Sequence, residues 1–269
     1  MSRFEITSFV QLMELDERRA DSFVGVGPDY PWERVYGGQV VAQALRAAAF
    51  TVPDGFRPHS LHAYFIRGGD ADEPIRYDVD RLRDGRSFTT RQVVALQSGG
   101  AILNLSASFQ VDEPDAADVP VVVPDPPVPM PDDLPETPSW GPLLQRRVVP
   151  DPGAGREAAW LRLVDDLGDD PVLQACGLAY LSDDIPLDAA RAHHPVIGGP
   201  DVDVPHLFAS LDHALWFHRT VRADRWHLHD LRGLGLVGNR GLAVGQVFDA
   251  DGLHVATIAQ EALLRVRRP

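Results

Sequence analysis

Two hydrophobic periods take turns along the chain. In "GGQVVAQALRAAAF" the residues Val40, Val41, Ala44, Leu45 and Ala48 recur at helical spacing, which predicts a helix with one apolar face. Runs with strand alternation follow: "HSLHAYFIRGGD", "PIRYDVDRLRDG", "SFTTRQVVALQ", a turn at "SGG", and "AILNLSASFQ". The second half repeats that order. "PVLQACGLAYLSDD" offers Val172, Leu173, Cys176 and residues 178–181 to an apolar helix. Strand-like runs then read "FASLDHALWFHR", "RWHLHDLRG", "RGLAVGQVF", a turn at "DADG", and "LHVATIAQEALLR". One apolar helix followed by an antiparallel meander predicts a helix wrapped by a curved sheet. Its recurrence predicts a duplicated α+β module. Matching His62 to His213 lays "SLHAYF" on "SLDHALWF" and sets the halves in register.

Residues 112–152 break the pattern. The stretch "DEPDAADVPVVVPDPPVPMPDDLPETPSW" is dense in Pro and Asp, which removes backbone donors and forbids a helix or central strand. It reads as a connection, extended or lying over the surface. The expected organisation is therefore an N-terminal module over 1–111, the connection over 112–152, and a C-terminal module over 153–269.

Two polar residues interrupt apolar strand faces in the second half. Ala256, Ile258, Gln260, Ala262 and Leu264 share one face, which is apolar except for one amide. Asp212 stands beside Leu211 and two residues before Ala214. Burying a carboxylate there costs several kcal/mol unless something pairs with it. Under the overlay, Gln260 falls opposite Ala107 and Asp212 opposite Leu61. The first module is apolar where the second is polar, which places candidate chemistry in the second.

Composition narrows the function. The formal net charge is −14, and all 25 basic residues are Arg. A basic face for nucleic acid is not expected, because such binding neutralises phosphates over a wide surface. A local Arg pocket remains open: Arg67, Arg83, Arg86 and Arg91 gather in the strands and turns of the first module. No apolar run reaches the roughly 18 residues of a membrane span, and the first residues lack a signal-peptide pattern. A single cysteine, Cys176, excludes an intrachain disulfide and points to the cytoplasm. No G-x-S-x-G elbow occurs. "GLGLVG" at 233–238 matches a dinucleotide-binding pattern but precedes a strand-like run, not a helix. His227 and His229 share a strand face without a third ligand, so no metal or cofactor is expected.

The segments "YGGQVVAQAL", "HSLHAYFIRGGD", "YDVDRLRDGRSF", "SLDHALWFHR" and "VATIAQEALLR", in this order, resemble the acyl-CoA thioesterase II (TesB-like) family. The resemblance implies a double hotdog fold: two hotdog modules in one chain, each sheet wrapping a central helix. It implies hydrolysis of fatty acyl-CoA by water without a covalent intermediate, and a dimer or tetramer of chains. Asp212 would be the general base and Gln260 would hold the water. Gly38, at the start of the first helix, could lend a backbone donor. Arg67 and Arg91 would meet ligand phosphates. Family members usually add a Ser or Thr after the strand "RWHLHD". Residues 226–256 contain no Ser, Thr or Tyr, and the expected position falls near Leu234 or Gly235. Asn239 could substitute if its loop turned inward. The missing hydroxyl leaves a second expectation, an acyl-ligand-binding protein without hydrolysis.

Overall fold

A computed structural model describes residues 5–32, 34–113, 117–119, 122–124, 127–199 and 204–266. The first module comprises a helical turn α1 (Phe9–Leu12), strands β1 (Asp16–Arg19) and β2 (Ser22–Gly25), helix α2 (Gly37–Ala49), and strands β3 (Phe56–Phe65), β4 (Ile75–Asp84), β5 (Phe88–Gln97) and β6 (Gly100–Val111). The second comprises β7 (Leu144–Val148), β8 (Arg156–Leu163), helices α3 (Pro171–Leu181) and α4 (Pro186–Arg191), and strands β9 (His206–Ser210), β10 (Asp212–Phe217), β11 (His227–Val237), β12 (Arg240–Phe248) and β13 (His254–Val266). The strands form one sheet in the order β1-β2-β4-β5-β6-β3-β10-β13-β12-β11-β8-β7, with β9 also paired to β13. The duplication is visible in that order, and the fold is the expected double hotdog. The modules join where β3 and β10 pair antiparallel, from Asp212 opposite Tyr64 to Trp216 opposite Ser60.

Helices α2 and α3 pack against each other under the sheet. Residues 173–181 of α3 are all buried, as an apolar helix with no polar face requires. Its start is fixed by Pro171 in the first turn and by Asp170, whose side chain accepts from the Val172 and Leu173 N–H groups. Helix α2 starts differently: its N-cap, Tyr36, makes no side-chain capping bond. Gly37 and Gly38 allow the two helices to meet. A Cβ on Gly38 would lie 2.4 Å from the Tyr180 carbonyl oxygen.

The strand faces follow the alternation. Leu103, Leu105, Ala107 and Phe109 of β6 point at the core, as do Ile258, Gln260, Ala262 and Leu264 of β13. One irregularity shifts the phase. Ser210 pairs with Ala262 and Ala214 with Ala259, so four steps along β9–β10 answer three along β13. The extra residue makes a β-bulge at Leu211–Asp212. Ser210 and His213 therefore both face the helices, and Asp212 faces away.

The connection between modules is an ordered strap over its described residues. The Trp160 indole N–H donates to the Pro129 carbonyl, 2.9 Å. Leu134 and Val149 pack with Trp160, Leu228 and Phe248 in a small separate core. Residues 144–148, assigned from sequence to the connection, form β7 at the edge of the second module. An edge strand is the one sheet position that the flanking prolines permit. No helix among the described residues is long and apolar enough to cross a membrane.

Candidate active site

The uncapped start of α2 and the end of α3 border a cavity of about 540 Å³. Its walls include Gly37, Asp183, Ser210, the loop at 65–69 after β3, and Trp140 from the strap. Both modules and their connection contribute. Trp140 stacks beside Trp32 and Tyr36, with ring centroids 5.2 and 4.6 Å away. Its indole N–H donates to Asp184 Oδ1 at 2.6 Å. Arg146 of β7 approaches the other Asp184 oxygen at 3.5 Å.

Asp183, Asp184 and Asp188 all line the cavity, and Asp183 is the one that meets both Ser210 and Gln260. It sits just after α3, and close approach of α2 depends on glycine: a Cβ on Gly37 would lie 2.6 Å from Asp183 Oδ2. Burial pushes the Asp183 carboxyl up to about 7; hydrogen bonds from Gln260, the Gly38 N–H and Ser210 pull down, and neighbouring Asp184 pushes up further. Ser210 Oγ donates toward Asp183 Oδ1 at 3.5 Å and accepts from Gln260 Nε2 at 2.9 Å. Behind them, His213 Nδ1 lies 2.5 Å from Gln260 Oε1 and His213 Nε2 lies 2.9 Å from Ser182 Oγ. Burial holds the His213 imidazole down at about 4, so the ring is neutral near pH 7. A carboxylate poised near neutrality, an amide donor and a hydroxyl thus converge beside a helix N-terminus. Such a set can hold a water and remove its proton.

Gln260 was found from sequence, and the structure brings it together with Gly38. Asp212 is not with them. Without the bulge it would stand opposite Gln260; with it, His213 takes that place. The Asp212 carboxylate instead accepts from the Glu261 N–H at 2.7 Å, satisfying a ladder donor that the bulge leaves free. The overlay of His62 on His213 is likewise one residue out of phase. His62 stacks on Trp216 on the outer face, and the inward residue matching His213 is Leu61.

The hydroxyl that meets Gln260 and Asp183 is that of Ser210, earlier in the chain than the segment after "RWHLHD". Leu234, Gly235 and Asn239 are exposed on β11 and its hairpin. Gly235 takes positive φ at an irregularity of the β11–β12 ladder, and Asn239 at the turn, so both are explained by backbone shape. Arg67 lines the cavity together with Arg34. Arg91 does not. It is fully buried, with its guanidinium bonded to the Thr51 hydroxyl and carbonyl, to Asp84, and to the Arg83 and Thr90 carbonyls. That commits it to the core of the first module and corrects its assignment to ligand. Cys176 is buried and its thiol is pushed up to about 12, which makes it inert core. "GLGLVG" runs along β11 into a hairpin and opens no helix. No group of three or more His, Cys, Asp or Glu that could hold a metal occurs among the described residues.

Signals for Asp183 and Ser210 were present but ambiguous. "LSDD" ends an apolar helix, where a carboxylate reads as solvated. Ser210 stands three residues before His213, an odd spacing that puts them on opposite faces unless a bulge intervenes.

Known proteins resemble the chain over nearly its whole length. Residues 28–110 match the acyl-CoA thioesterase N-terminal domain and residues 122–264 the acyl-CoA thioesterase C-terminal domain. Acyl-CoA thioesterase 2 of Haemophilus influenzae is 34% identical over 289 aligned residues, covering 97% of this chain and 98% of that protein. Human acyl-coenzyme A thioesterase 8 is 34% identical, covering 97% and 89%. The crystal structure of acyl-CoA thioesterase II TesB2 from Mycobacterium marinum superposes with a TM-score of 0.82 at 37% identity, covering 96% and 98%. The chain belongs to the acyl-CoA thioesterase family.

Proposed function

We propose that the cavity hydrolyses fatty acyl-CoA thioesters by direct attack of water, with Asp183 as general base and Gln260 and Ser210 as water-holding groups. The observation that carries this is the convergence of Asp183, Ser210 and Gln260 at the wall of one cavity, with the Asp183 carboxyl held near 7. Asp183 takes a proton as water attacks the carbonyl carbon. Negative charge then grows on the carbonyl oxygen, and the uncapped start of α2 offers it the positive end of a helix. When the tetrahedral intermediate collapses, the C–S bond breaks. The proton on Asp183 passes to the departing thiolate, leaving free acid and thiol.

Trp32, Tyr36, Phe65, Trp140 and Phe208 give the cavity an apolar wall suited to an acyl chain. Arg34 and Arg67 are the cations that would meet the phosphates of CoA. Ser210 supplies the hydroxyl whose apparent absence prompted a binding-only reading. A cytoplasmic site of action belongs to the same proposal, supported by the lone buried cysteine. So does assembly into dimers or tetramers, supported by exposed Tyr64, Ile66, Leu234 and Val237.

The test is thiol release from acyl-CoAs of graded chain length. Asp183→Asn is expected to lower kcat by about 10²–10⁴-fold, the usual contribution of a general base. Asp212→Asn, which touches only the bulge, is expected to change it less than about tenfold. Collapse in Asp212→Asn with near-normal Asp183→Asn would overturn the assignment of the base.

A further inference from the structure

We propose that His213 is a positioning residue that locks the Gln260 side chain with its amide nitrogen toward Asp183 and Ser210. This deepens the reading of the site given above and rests on it. Gln260 is fully buried, so its amide can take two orientations related by a flip, and only the hydrogen-bond network chooses between them. The flipped form sets Oε1 against the Asp183 carboxylate, acceptor against acceptor. The observed form needs a donor behind Oε1, and His213 Nδ1 is that donor at 2.5 Å. Donating from Nδ1 requires the neutral ring to carry its lone pair on Nε2. Ser182 Oγ lies 2.9 Å from both Nε2 and the Ala179 carbonyl, and in the proposed arrangement its one proton goes to Nε2. The chain of bonds thus runs from Ser182 through His213 and Gln260 to the reacting carboxylate.

A satisfied core histidine would show the same bonds, so position must decide. The first module has Leu61 opposite Ala107 at the matching place. The fold therefore tolerates an apolar pair there, and the second module carries His213 beside Gln260 without structural need. The bulge strengthens the point, because it brings His213, not Asp212, to the inward position. The groups facing Asp183 are the Gly38 N–H from α2, Ser210 from β9, Gln260 from β13, and Asp184 beside it, itself approached by Arg146. Tyr36 stands nearby, and Arg34 and Arg67 line the same cavity. Of these, Gln260 is the one hydrogen-bonded to His213.

The experiment measures steady-state hydrolysis of one acyl-CoA against pH. The proteins are wild type, Asp183→Asn, His213→Leu, His213→Asn, Gln260→Ala and the double variant His213→Leu/Gln260→Ala. Expected for His213→Leu is a fall in kcat of about 10–100-fold with KM nearly unchanged. Its acid limb should move to higher pH, because Asp183 loses a bond that favours its charged form. His213→Asn, whose side-chain N–H stands where Nδ1–H stood, should recover most of the rate and return the limb. In the Gln260→Ala background, His213→Leu should add no further loss. Wild-type kcat and pH profile in His213→Leu, or an undiminished further loss in Gln260→Ala, would overturn the proposal. Should His213→Leu fail to fold, Ser182→Ala gives the same readout: a smaller loss with the same shift supports it, and no change overturns it. Near-normal activity in Asp183→Asn would instead overturn the underlying site assignment.

Discussion

The two ends of the helix pair are built on one plan and differ in what they leave open. Each helix start abuts the other helix's end. After α2, Thr51 Oγ1 donates back to the Ala48 carbonyl; after α3, Ser182 Oγ lies at the same 2.9 Å from the Ala179 carbonyl and from His213 Nε2. Beyond these hydroxyls the ends diverge. Thr51 receives Arg91, whose cross-strand partner is Ala107. Ser182 meets His213 Nε2, and the residue opposite Gln260 on β12 is only Ala243. The start of α3 is closed by Asp170, which also pairs with Arg46 at 3.4 Å. The start of α2 has no cap from its own N-cap side chain, and its Gly38 N–H bonds to Asp183 from the end of α3. One end thus spends its polar groups on its own backbone and on an internal ion pair. The other keeps donors and a costly carboxylate available at a cavity. A duplicated frame does not duplicate a site; the candidate site is where the polar groups bond to one another beside a cavity.

The comparison breaks most visibly at Asp183. Besides its loss of rate, Asp183→Asn should be more stable than wild type above pH 7. The carboxyl is raised from 3.8 to about 7 on folding, so its contribution is fully favourable below about pH 4 and is lost as pH rises through 7. An amide never ionises, so the advantage should reach a few kcal/mol at pH 8 and vanish at pH 4, as read from urea midpoints. Giving the second module the first module's pair, with His213→Leu and Gln260→Ala together, should lower kcat by about 10²–10³-fold. The urea midpoint should hold or rise, since removing both partners of a buried polar pair is nearly neutral. At the closed end the effects should reverse. Arg91→Leu strands the Thr51 groups and should cost about 1–3 kcal/mol of stability with kcat within a few-fold of wild type. Smallest, Asp170→Ala uncaps α3 and should cost about 1 kcal/mol, again without loss of rate.

The sequence made the modules legible because strand alternation and helical spacing survive duplication, and Gln260 stood out as the lone amide on an apolar face. Asp212 misled because alternation says which residues share a face, not which face is inside. One extra residue at 211–212 inverted that choice and carried Ser210 and His213 inward. Asp183 was hidden differently. A carboxylate after a helix is commonplace on a surface, and only tertiary contact with Gly37 and Gly38, far away in sequence, buries it. Arg91 was invisible for the same reason: an arginine on a strand gives no sign that Thr51 and Asp84 will enclose it.

The strap that delivers Trp140 to Asp184, followed directly by β7 with Arg146, has a bearing on how the protein can be divided. Asp183 comes from the second module, Gly37 and Gly38 from the first, and the aromatic wall in part from the chain between them. Neither module expressed alone can therefore assemble a working site, however well it folds. Two fragments cut within the strap should regain activity only when mixed, and the fragment that keeps Trp140 and Arg146 should set how tightly they recombine. If the proposed site is the working one, an exchange of one module with a distant relative should keep activity only when the strap is carried with it.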